Sequence, residues 1–465
     1  MLDSKRNLSS QPIWARSALL PLLISILSIA ALCPYSAYGT VRDVTKPPYN
    51  AAGNGIIDDT TAIGNAIGDM QPGDTLYFPC TSGGSTYRIT SQLTISLTSG
   101  GVPLSNVIVE GDPSGCVTIK DGYTGPYQQA ILLVGGDVNG NPNPRLDTAV
   151  PLNATANELA TSFTTTSSLG VAPGDYVYLC QGGIGGNSGG VNTVCGATNQ
   201  TVTCDPSGCR GEVLKVASVS GNTITVTTAL HDSYDPAANS AVAQKILSPL
   251  TGVTVQNITF NGIGFPHVVK GLALAGVAES TVSNVKSTNV QASAIQGNGN
   301  FNVAWDNITV TGAGSDLCGS AVWLQNQGNL SVNTMSISQE NMVDGGIGCA
   351  ANDAFGFELI SAANSTITNL SVDATGASGR PFKTTDARWV TFDNRVRNAK
   401  RNEHGQSIVL RDRPVQHPRT CGARGKRRHH NVQFCHGYAI SNAGSKQRDN
   451  LGIRIRCFAR VRVSQ

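Results

Sequence analysis

An asparagine followed by an aliphatic residue recurs through the second half of the chain at a nearly regular interval, with Thr334 replacing the asparagine once. The aliphatic positions are spaced by 27, 23, 27 and 35 residues and are Ile258, Val285, Ile308, Met335 and Leu370. A solenoid coil of three short strands needs about this length, and stacked coils bury what one coil alone cannot. The chain is therefore predicted to be all-β, a right-handed parallel β-helix.

Asparagine suits the turn of such a coil because it adopts the left-handed conformation readily, and its amide can bond to the coil above. A sandwich of two sheets would also show strands in which inward and outward residues alternate. That alternative would explain neither the repeat interval nor the helix that precedes the repeats.

A short amphipathic helix is predicted before the repeats. Asp58 or Asp59 can cap its first turn. Its apolar residues fall on one stripe: Ala62, Ile63, Ala66 and Ile67. A strand, Thr75-Leu76-Tyr77-Phe78-Pro79, follows after the turn at Gly73-Asp74.

Three motifs in this region carry a family resemblance. They are A-x-G-x-G-x-x-D-D-T-x-A-I-x-x-A-I from residue 51, G-D-T-L-Y-F-P from residue 73 and Y-R-I-T-S-Q-L-T-I from residue 87. Together they resemble the N-terminus of the pectin-lyase-like superfamily, in the branch of rhamnogalacturonases, polygalacturonases, epimerase-like pectate lyases and phage tailspikes. The resemblance covers residues 41–120 and, by repeat pattern, 247–394. It implies a helix that caps the open end of the β-helix and an activity on polysaccharides.

Residues 121–246 interrupt the repeat. The alternating segments 215–219 and 223–227 flank Ser220-Gly221-Asn222, which is a hairpin signal. The interruption is predicted to be a small, disulfide-rich, all-β insertion. It either walls a substrate groove or decorates the helix.

The cysteines predict an oxidising compartment. Eight of the 12 lie between residues 40 and 394, and four disulfides are expected among these eight. Pairing within one short stretch of chain is favoured for Cys180, Cys195, Cys204 and Cys209. The eight are Cys80, Cys116, Cys180, Cys195, Cys204, Cys209, Cys318 and Cys349.

Residues 1–39 are predicted to be a secretory signal peptide. Lys5, Arg6 and Arg16 precede or flank an apolar run over 18–32, and Ala37-Tyr38-Gly39 offers a small-residue cleavage site. The protein is therefore expected to be secreted and extracellular, without a membrane anchor after cleavage. Residues 40–120 would then hold the cap and the first coils, and residues 247–394 the later coils.

The charge changes sign near the C-terminus. Residues 1–394 hold 16 Lys and Arg against 27 Asp and Glu, whereas residues 395–465 hold 17 against 3. Three interpretations stand side by side: a basic tail that binds an anionic polymer, a strand-bearing end, or a shifted reading frame that replaced the last coils. The composition changes abruptly in the middle of a coil, which favours the shifted reading frame. A disordered tail is compatible with the same change in composition.

Loop aspartates are the candidate catalytic residues. Hydrolysis of a glycosidic bond needs two facing carboxylates, and elimination needs a base with a cation on the substrate carboxylate. The coils offer few acids: Asp306, Asp316, Glu340, Asp344, Asp353, Glu358 and Asp373. Of these, Asp316, Asp344 and Asp353 fall between strands of consecutive or nearly consecutive coils and are predicted to be catalytic. Each could instead cap a turn.

Arg380 and Lys383 are the candidate substrate-binding residues. They are similar in type and place to the Arg-x-Lys pair by which polygalacturonase-like enzymes bind a carboxylate, but they lie one residue further apart. On an extended strand, that spacing puts the two on opposite faces unless a bulge intervenes. A solvated basic turn is the alternative.

The family signatures Asn-Thr-Asp and Gly-His-Gly do not occur, and the single Asp-Asp lies at residues 58–59. The predicted function is a glycoside hydrolase or lyase on an acidic, pectin-like extracellular polysaccharide. The alternatives are a non-catalytic, tailspike-like binding protein or an inactive truncated relative. No cofactor and no structural metal are expected, except Ca²⁺ if the chain is a lyase, and nucleic acid is not expected as a partner.

Overall fold

A computed structural model describes most of the chain between residues 39 and 411. The described residues are 39–80, 85–125, 130–181, 210–262, 269–290, 293–312, 320–338, 355–373, 382–385, 387–393, 396–398 and 409–411. The predicted signal peptide and most of the basic tail therefore lie outside the described residues.

Two helices and 27 strands make up the described structure. The helices are α1 (Thr60–Gly68) and α2 (Pro236–Asn239). The first strands, in chain order, are β1 (Val41–Asp43), β2 (Asn54–Asp58), β3 (Thr75–Phe78), β4 (Thr86–Ile89), β5 (Leu93–Ile95), β6 (Ile108–Gly111), β7 (Thr118–Asp121) and β8 (Leu132–Gly135). The next are β9 (Val150–Pro151), β10 (Ser162–Thr164), β11 (Tyr176–Gln181), β12 (Arg210–Ser220), β13 (Thr223–Val226) and β14 (Val242–Lys245). The remaining strands are β15 (Leu250–Thr251), β16 (Thr254–Gln256), β17 (Thr259–Asn261), β18 (Leu272–Ala275), β19 (Val277–Thr288), β20 (Ile295–Thr311), β21 (Val322–Gly328), β22 (Ser331–Ser338), β23 (Phe357–Asp373), β24 (Phe382–Thr385), β25 (Arg388–Asp393), β26 (Val396–Asn398) and β27 (Val409–Arg411).

Three parallel ladders run along the coils, and we name them faces 1, 2 and 3 after the order in which each coil meets them. The inward row of face 1 is Leu76, Val109, Val255, Val282, Trp305, Val332, Ile367 and Phe392. The inward row of face 2 is Tyr87, Ile119, Phe260, Ser287, Val310, Ile337 and Val372. The inward row of face 3 is Leu93, Leu132, Leu272, Ile295, Val322, Phe357 and Phe382. These rows meet in one continuous apolar core, which confirms the predicted right-handed parallel β-helix.

The asparagine repeat forms the corner between faces 1 and 2. Asn257, Asn284 and Asn307 have φ angles of 59°, 52° and 52°, in the left-handed region. The Asn284 amide donates to Asn257 Oδ1 at 3.1 Å, and the Asn307 amide donates to Asn284 Oδ1 at 2.7 Å. The ladder predicted from the sequence is therefore present, and asparagine is used because it tolerates this conformation.

Helix α1 packs on the first coils by its predicted stripe. Ile63 and Ala66 are buried in the core, and Ala62 and Ile67 pack against it. The two aspartates before it divide the work. Asp59 is the N-cap residue but makes no side-chain capping bond, whereas Asp58 Oδ1, one residue earlier, accepts the Thr60 amide at 3.0 Å. The Asp59 carboxylate instead accepts the amides of Ala52 and Gly53 at 2.6 and 3.2 Å and holds the preceding loop.

The insertion is a separate six-stranded antiparallel sheet in the order β10-β13-β12-β11-β14-β9, with its own apolar core. The predicted hairpin is present, since β12 and β13 pair antiparallel around residues 220–223. The sheet begins later than residue 121, because Leu132–Gly135 pairs with β5 and β18 on face 3. The predicted start of the insertion at residue 121 is therefore too early, because β8 is a strand of the coils.

The parallel stack also extends slightly past the predicted boundary at 394. Strand β26 pairs in parallel register with β23, continuing face 2, and β27 then pairs antiparallel with β26. Ile453–Arg456, which suggested a terminal strand, lies outside the described residues.

One disulfide, Cys80–Cys116, links the first coils. Cys180 is also disulfide-bonded, while Cys195, Cys204, Cys209, Cys318 and Cys349 lie outside the described residues. Among the described segments, no helix has the length and apolar character needed to cross a membrane.

Candidate functional site

The outward row of face 3 changes character along the stack. Its residues, each the Cα partner of the next, are Thr94, Leu133, Ala273, Gln296, Trp323, Glu358 and Lys383. Leu133 and Ala273 form a small apolar cluster with Ala130 outside the main core. From Gln296 onward the row carries an amide, an indole, a carboxylate and a lysine position in four successive coils. Neighbouring strands lie about 4.8 Å apart, so these positions follow one another closely.

Glu358 is a buried carboxylate on the outside of the coil. It is 6% exposed and accepts a hydrogen bond from Ser320 Oγ at 2.6 Å. Removing a carboxylate from water costs free energy unless the group is hydrogen-bonded, and the bond from Ser320 offsets part of that cost. A buried acid on an outward row is therefore unusual.

Two polar atoms in the two coils that precede Glu358 on this row are also buried. Gln296 Oε1 and Trp323 Nε1 find no hydrogen-bond partner among the residues that the structure describes. Buried polar atoms are normally paired, and unsatisfied ones call for an explanation such as a bound ligand or water. The row thus offers a donor one coil before the carboxylate and an acceptor two coils before it.

Lys270 lies at the same corner of the coil. Lys270, Ser293 and Ser320 each precede by two residues the aligned positions Leu272, Ile295 and Val322. Burial lowers the pKa of the Lys270 ammonium from 10.5 to about 8. This corner therefore holds a lysine that can gain or lose a proton near neutral pH.

The loop residues predicted from the sequence precede the strands of face 3 in the chain. Asp316, Asp344, Asp353 and Arg380 lie outside the described residues. Each belongs to a segment that leaves a face 2 strand and enters a face 3 strand. The described strand ends on either side stack in register: Thr311, Ser338 and Asp373 before the segments, and Val322, Phe357 and Phe382 after them.

Lys383 lies in β24, where it is the Cα partner of Glu358. Glu358 itself was not singled out from the sequence, where only the loop acids were favoured. The signal that could have found it is the alternation Phe357-Glu358-Leu359, which puts a charged residue on the outer side of a strand with a buried inner side.

The insertion borders face 3 on one side. Tyr178 Oη donates to Asn326 Oδ1 at 3.1 Å, the rings of Tyr176 and Phe301 are 5.5 Å apart, and Lys215 Nζ lies 2.9 Å from Glu279 Oε1. These contacts fall at the corner where face 3 ends and face 1 begins. That the insertion walls a substrate groove, rather than decorating the helix, stays a prediction.

Metal binding gains no support from the described side chains. The one candidate group found among them is Cys80, Asp112 and Cys116, but the two thiols are joined in a disulfide. On the outward row of face 3, the described residues offer one carboxylate, whereas Ca²⁺ takes six to eight oxygen ligands. Ca²⁺ binding, expected if the chain is a lyase, stays a prediction.

No family model matches the chain, and no curated protein matches it. Among solved structures, the tailspike gp61 of Pseudomonas phage phi297 is 14% identical with a TM-score of 0.46, over 78% of this chain and 66% of that one. The tailspike gp49 of Pseudomonas phage LKA1 is 16% identical with a TM-score of 0.39, over 72% and 52%. The A-module of an Azotobacter vinelandii mannuronan C-5 epimerase is 12% identical with a TM-score of 0.31, over 76% of each chain. The chain thus spans about half to two thirds of the length of these tailspikes.

Proposed function

We propose that this protein is a secreted, carbohydrate-active β-helix enzyme that binds an acidic polysaccharide along face 3 and cleaves it. One observation carries the proposal: Trp323 and Glu358 occupy one outward row in successive coils, and Lys383 is the Cα partner of Glu358 in the next coil. A repeating row suits a repeating ligand, because each coil offers an equivalent position to the next unit of the polymer.

Each of the three residue types would have its own role in binding or cleavage. The indole of Trp323 offers an apolar face for a sugar ring and a polar N–H for a hydroxyl group. The Glu358 carboxyl can transfer a proton to a glycosidic oxygen, or remove one beside a uronate carboxylate. A lysine at position 383 supplies a positive charge for that carboxylate.

A second carboxylate is proposed from the segments that enter face 3. Asp316, Asp344 and Asp353 lie in segments that begin and end at the same corner in successive coils, and Arg380 lies in the next such segment. Inverting hydrolysis would need one of these aspartates to activate water opposite Glu358. Elimination would need only a base and a cation on the substrate, for which Arg380 is the proposed partner.

The decisive variant is Glu358→Gln, with Asp306→Asn as its control. Both replace one carboxylate by an amide on the same stack, but Asp306 is exposed on face 1, where it accepts the Asn333 amide at 2.8 Å. With polygalacturonate as substrate, new reducing ends measure cleavage, and ultraviolet absorbance of the unsaturated product separates elimination from hydrolysis. Glu358→Gln should lower turnover about a hundredfold or more, as loss of a general acid or base does. Asp306→Asn should retain wild-type turnover.

Asp344→Asn and Asp353→Asn extend the test to the segments. An enzyme that uses either residue loses turnover while keeping its fold, measured by circular dichroism. Equal turnover by wild type and Glu358→Gln would remove Glu358 from the proposal. Binding of acidic polysaccharides without cleavage of any of them would replace the enzyme with the tailspike-like binding protein.

A further inference from the structure

Trp389 is an unusual residue type for its position in the coil. It lies at the corner between faces 3 and 1, one level above Asn364, with a φ of 52°. The same corner in lower coils is formed by Glu279, Asn302, Asn329 and Asn364, which are all in the left-handed region as well. Asparagine adopts this conformation at little cost, whereas a bulky aromatic residue there is a backbone outlier. Such outliers persist where the surroundings enforce them and often mark a functional position.

The side chain of Trp389 is exposed despite its size. It is 49% exposed, so burial in the core does not account for the strained position. Trp305 shows the contrast, because it is fully buried on the inward row of face 1. A half-exposed indole offers a flat apolar surface to a ligand.

The insertion supports this indole from the other side. The His231 ring meets the Trp389 ring edge to face, with centroids 4.8 Å apart and planes at 79°. His231 is in turn fixed, because its Nδ1 lies 2.8 Å from Glu212 Oε2 and its backbone N–H donates to the same carboxylate. Both partners are buried, so the edge on which Trp389 rests is rigid.

The residues next to Trp389 and His231 in the chain, Arg388 and Asp232, are charged. Arg388 Nε lies 3.5 Å from Asp232 Oδ2, and the Arg388 side chain is 45% exposed. Asp232 is positioned by the Ser233 amide, which donates to its Oδ1 at 2.9 Å. A guanidinium fork beside an aromatic surface matches a sugar ring that carries a carboxylate.

We infer that Trp389 and Arg388 form a saccharide subsite at the junction of the last coil and the insertion, which stacks one uronate ring on the indole. This inference rests on the proposed function and deepens it, since β24, the strand of Lys383, leads directly into this corner. His231 and Glu212 are positioning residues for the indole and do not contact the sugar. The subsite adds binding energy away from the bond that is cleaved.

The sharpest variant is Trp389→Asn, because asparagine occupies the same corner in the coils below and should fold without strain. Trp389→Phe keeps a smaller aromatic surface. The control is Ile56→Asn, which replaces another exposed apolar residue (80% exposed) at the opposite end of the stack. Calorimetric titration with polygalacturonate, in the Glu358→Gln background to prevent cleavage, gives Kd. Cleavage by the same three variants with Glu358 intact gives KM and kcat.

Trp389→Asn should raise Kd and KM for the polymer about tenfold with kcat unchanged, as loss of one well-packed aromatic anchor does. Trp389→Phe should recover part of the affinity, and Ile56→Asn should match its parent. A short fragment that fills only the positions around Glu358 should bind all variants equally.

Equal affinity of Trp389→Asn and Ile56→Asn for the polymer would overturn the subsite and leave the proposed site at Glu358 standing. A change in oligomeric state without a change in affinity would also overturn it, because Trp389 would then be a contact between copies of the chain. Failure of the proposed function looks different: the parent itself would neither bind nor cleave the polymer.

Discussion

Faces 1 and 3 are built by the same coils and have equivalent inward rows, but their outward rows differ. On face 1, the outward row Thr281, Ala304, Ser331 and Thr366 is made of small residues, which are exposed except for the half-buried Ala304. On face 3, Gln296 and Glu358 are large, polar and buried. The inward residues determine the fold, so the outward residues are free to vary. The candidate site lies where the outward row carries larger, buried polar side chains.

The largest expected effect separates an inward from an outward tryptophan. Trp305→Ala empties a fully buried position in the core and should lower the free energy of unfolding by about 3–5 kcal/mol. Trp323→Ala, on the half-buried outward row of face 3, should lower it by about 1 kcal/mol or less and weaken polysaccharide binding instead. Denaturant titration measures both. Equal losses would mean that the outward row of face 3 is part of the core.

Titration of Lys270 tests whether the corner of face 3 is truly desolvated. A lysine whose pKa falls from 10.5 to about 8 on folding binds fewer protons in the folded state. The free energy of unfolding should therefore rise between about pH 8 and pH 10.5, by about 3 kcal/mol. Lys270→Met should abolish this rise and be the more stable protein at neutral pH.

The matched control for that titration is Lys286→Met, which removes an exposed lysine from face 2 and should retain the rise. A pH profile that is the same in wild type and Lys270→Met would show that water reaches this corner freely.

The contact between the insertion and face 3 can be broken at Gly328. A Cβ there would lie 2.4 Å from the Val213 carbonyl oxygen and 2.8 Å from the Phe301 ring. Gly328→Ala should therefore destabilise the protein by about 1–3 kcal/mol through overpacking. Gly64→Ala, in helix α1 with open space around its Cβ, should be neutral or stabilise by up to about 1 kcal/mol. Thermal unfolding distinguishes the two. A neutral Gly328→Ala would mean that the insertion is loosely seated.

The smallest effect concerns the charge pair at the same contact. Burial alone would raise the pKa of Glu279, but hydrogen bonds from Asn302 and Lys215 outweigh it and hold that pKa below 4.5. This stabilisation is present above about pH 4.5 and is lost as the pH falls through the folded-state value. For a partly exposed pair it should amount to about 1 kcal/mol or less. Acid unfolding of wild type, compared with Glu279→Gln, measures it, and a difference that does not shrink toward acid pH would contradict this account.

Much of the fold was predictable because the coil repeat leaves a local signature. The asparagine at 257, 284 and 307 occupies a left-handed corner, and the stripe of α1 is set within six consecutive residues. The hairpin of β12 and β13 is equally local. Each of these features lies within a short stretch of sequence, where conformational preference and pattern act together.

The outward row of face 3 was not predictable in the same way. Glu358 becomes notable only when it is aligned with Trp323 and Ser320, which lie 35 and 38 residues before it in the chain. Coil lengths vary between 23 and 35 residues, so the register between coils cannot be counted from the sequence. The strand at Leu132–Gly135 was misplaced for a similar reason, because its partner in β18 lies beyond the whole insertion.

The coils on either side of the insertion touch directly. Val109 pairs with Val255, and Ile119 pairs with Phe260, as if the intervening residues were not there. The two ends of the insertion run side by side as a stem, with the Asp147 amide bonded to the Lys245 carbonyl and the Leu247 amide bonded to the Arg145 carbonyl. Because both ends of the insertion leave the β-helix at the same place, the insertion can be replaced by another without a change in the order of the coils. The β-helix and its insertion can therefore evolve, or be engineered, as separate parts.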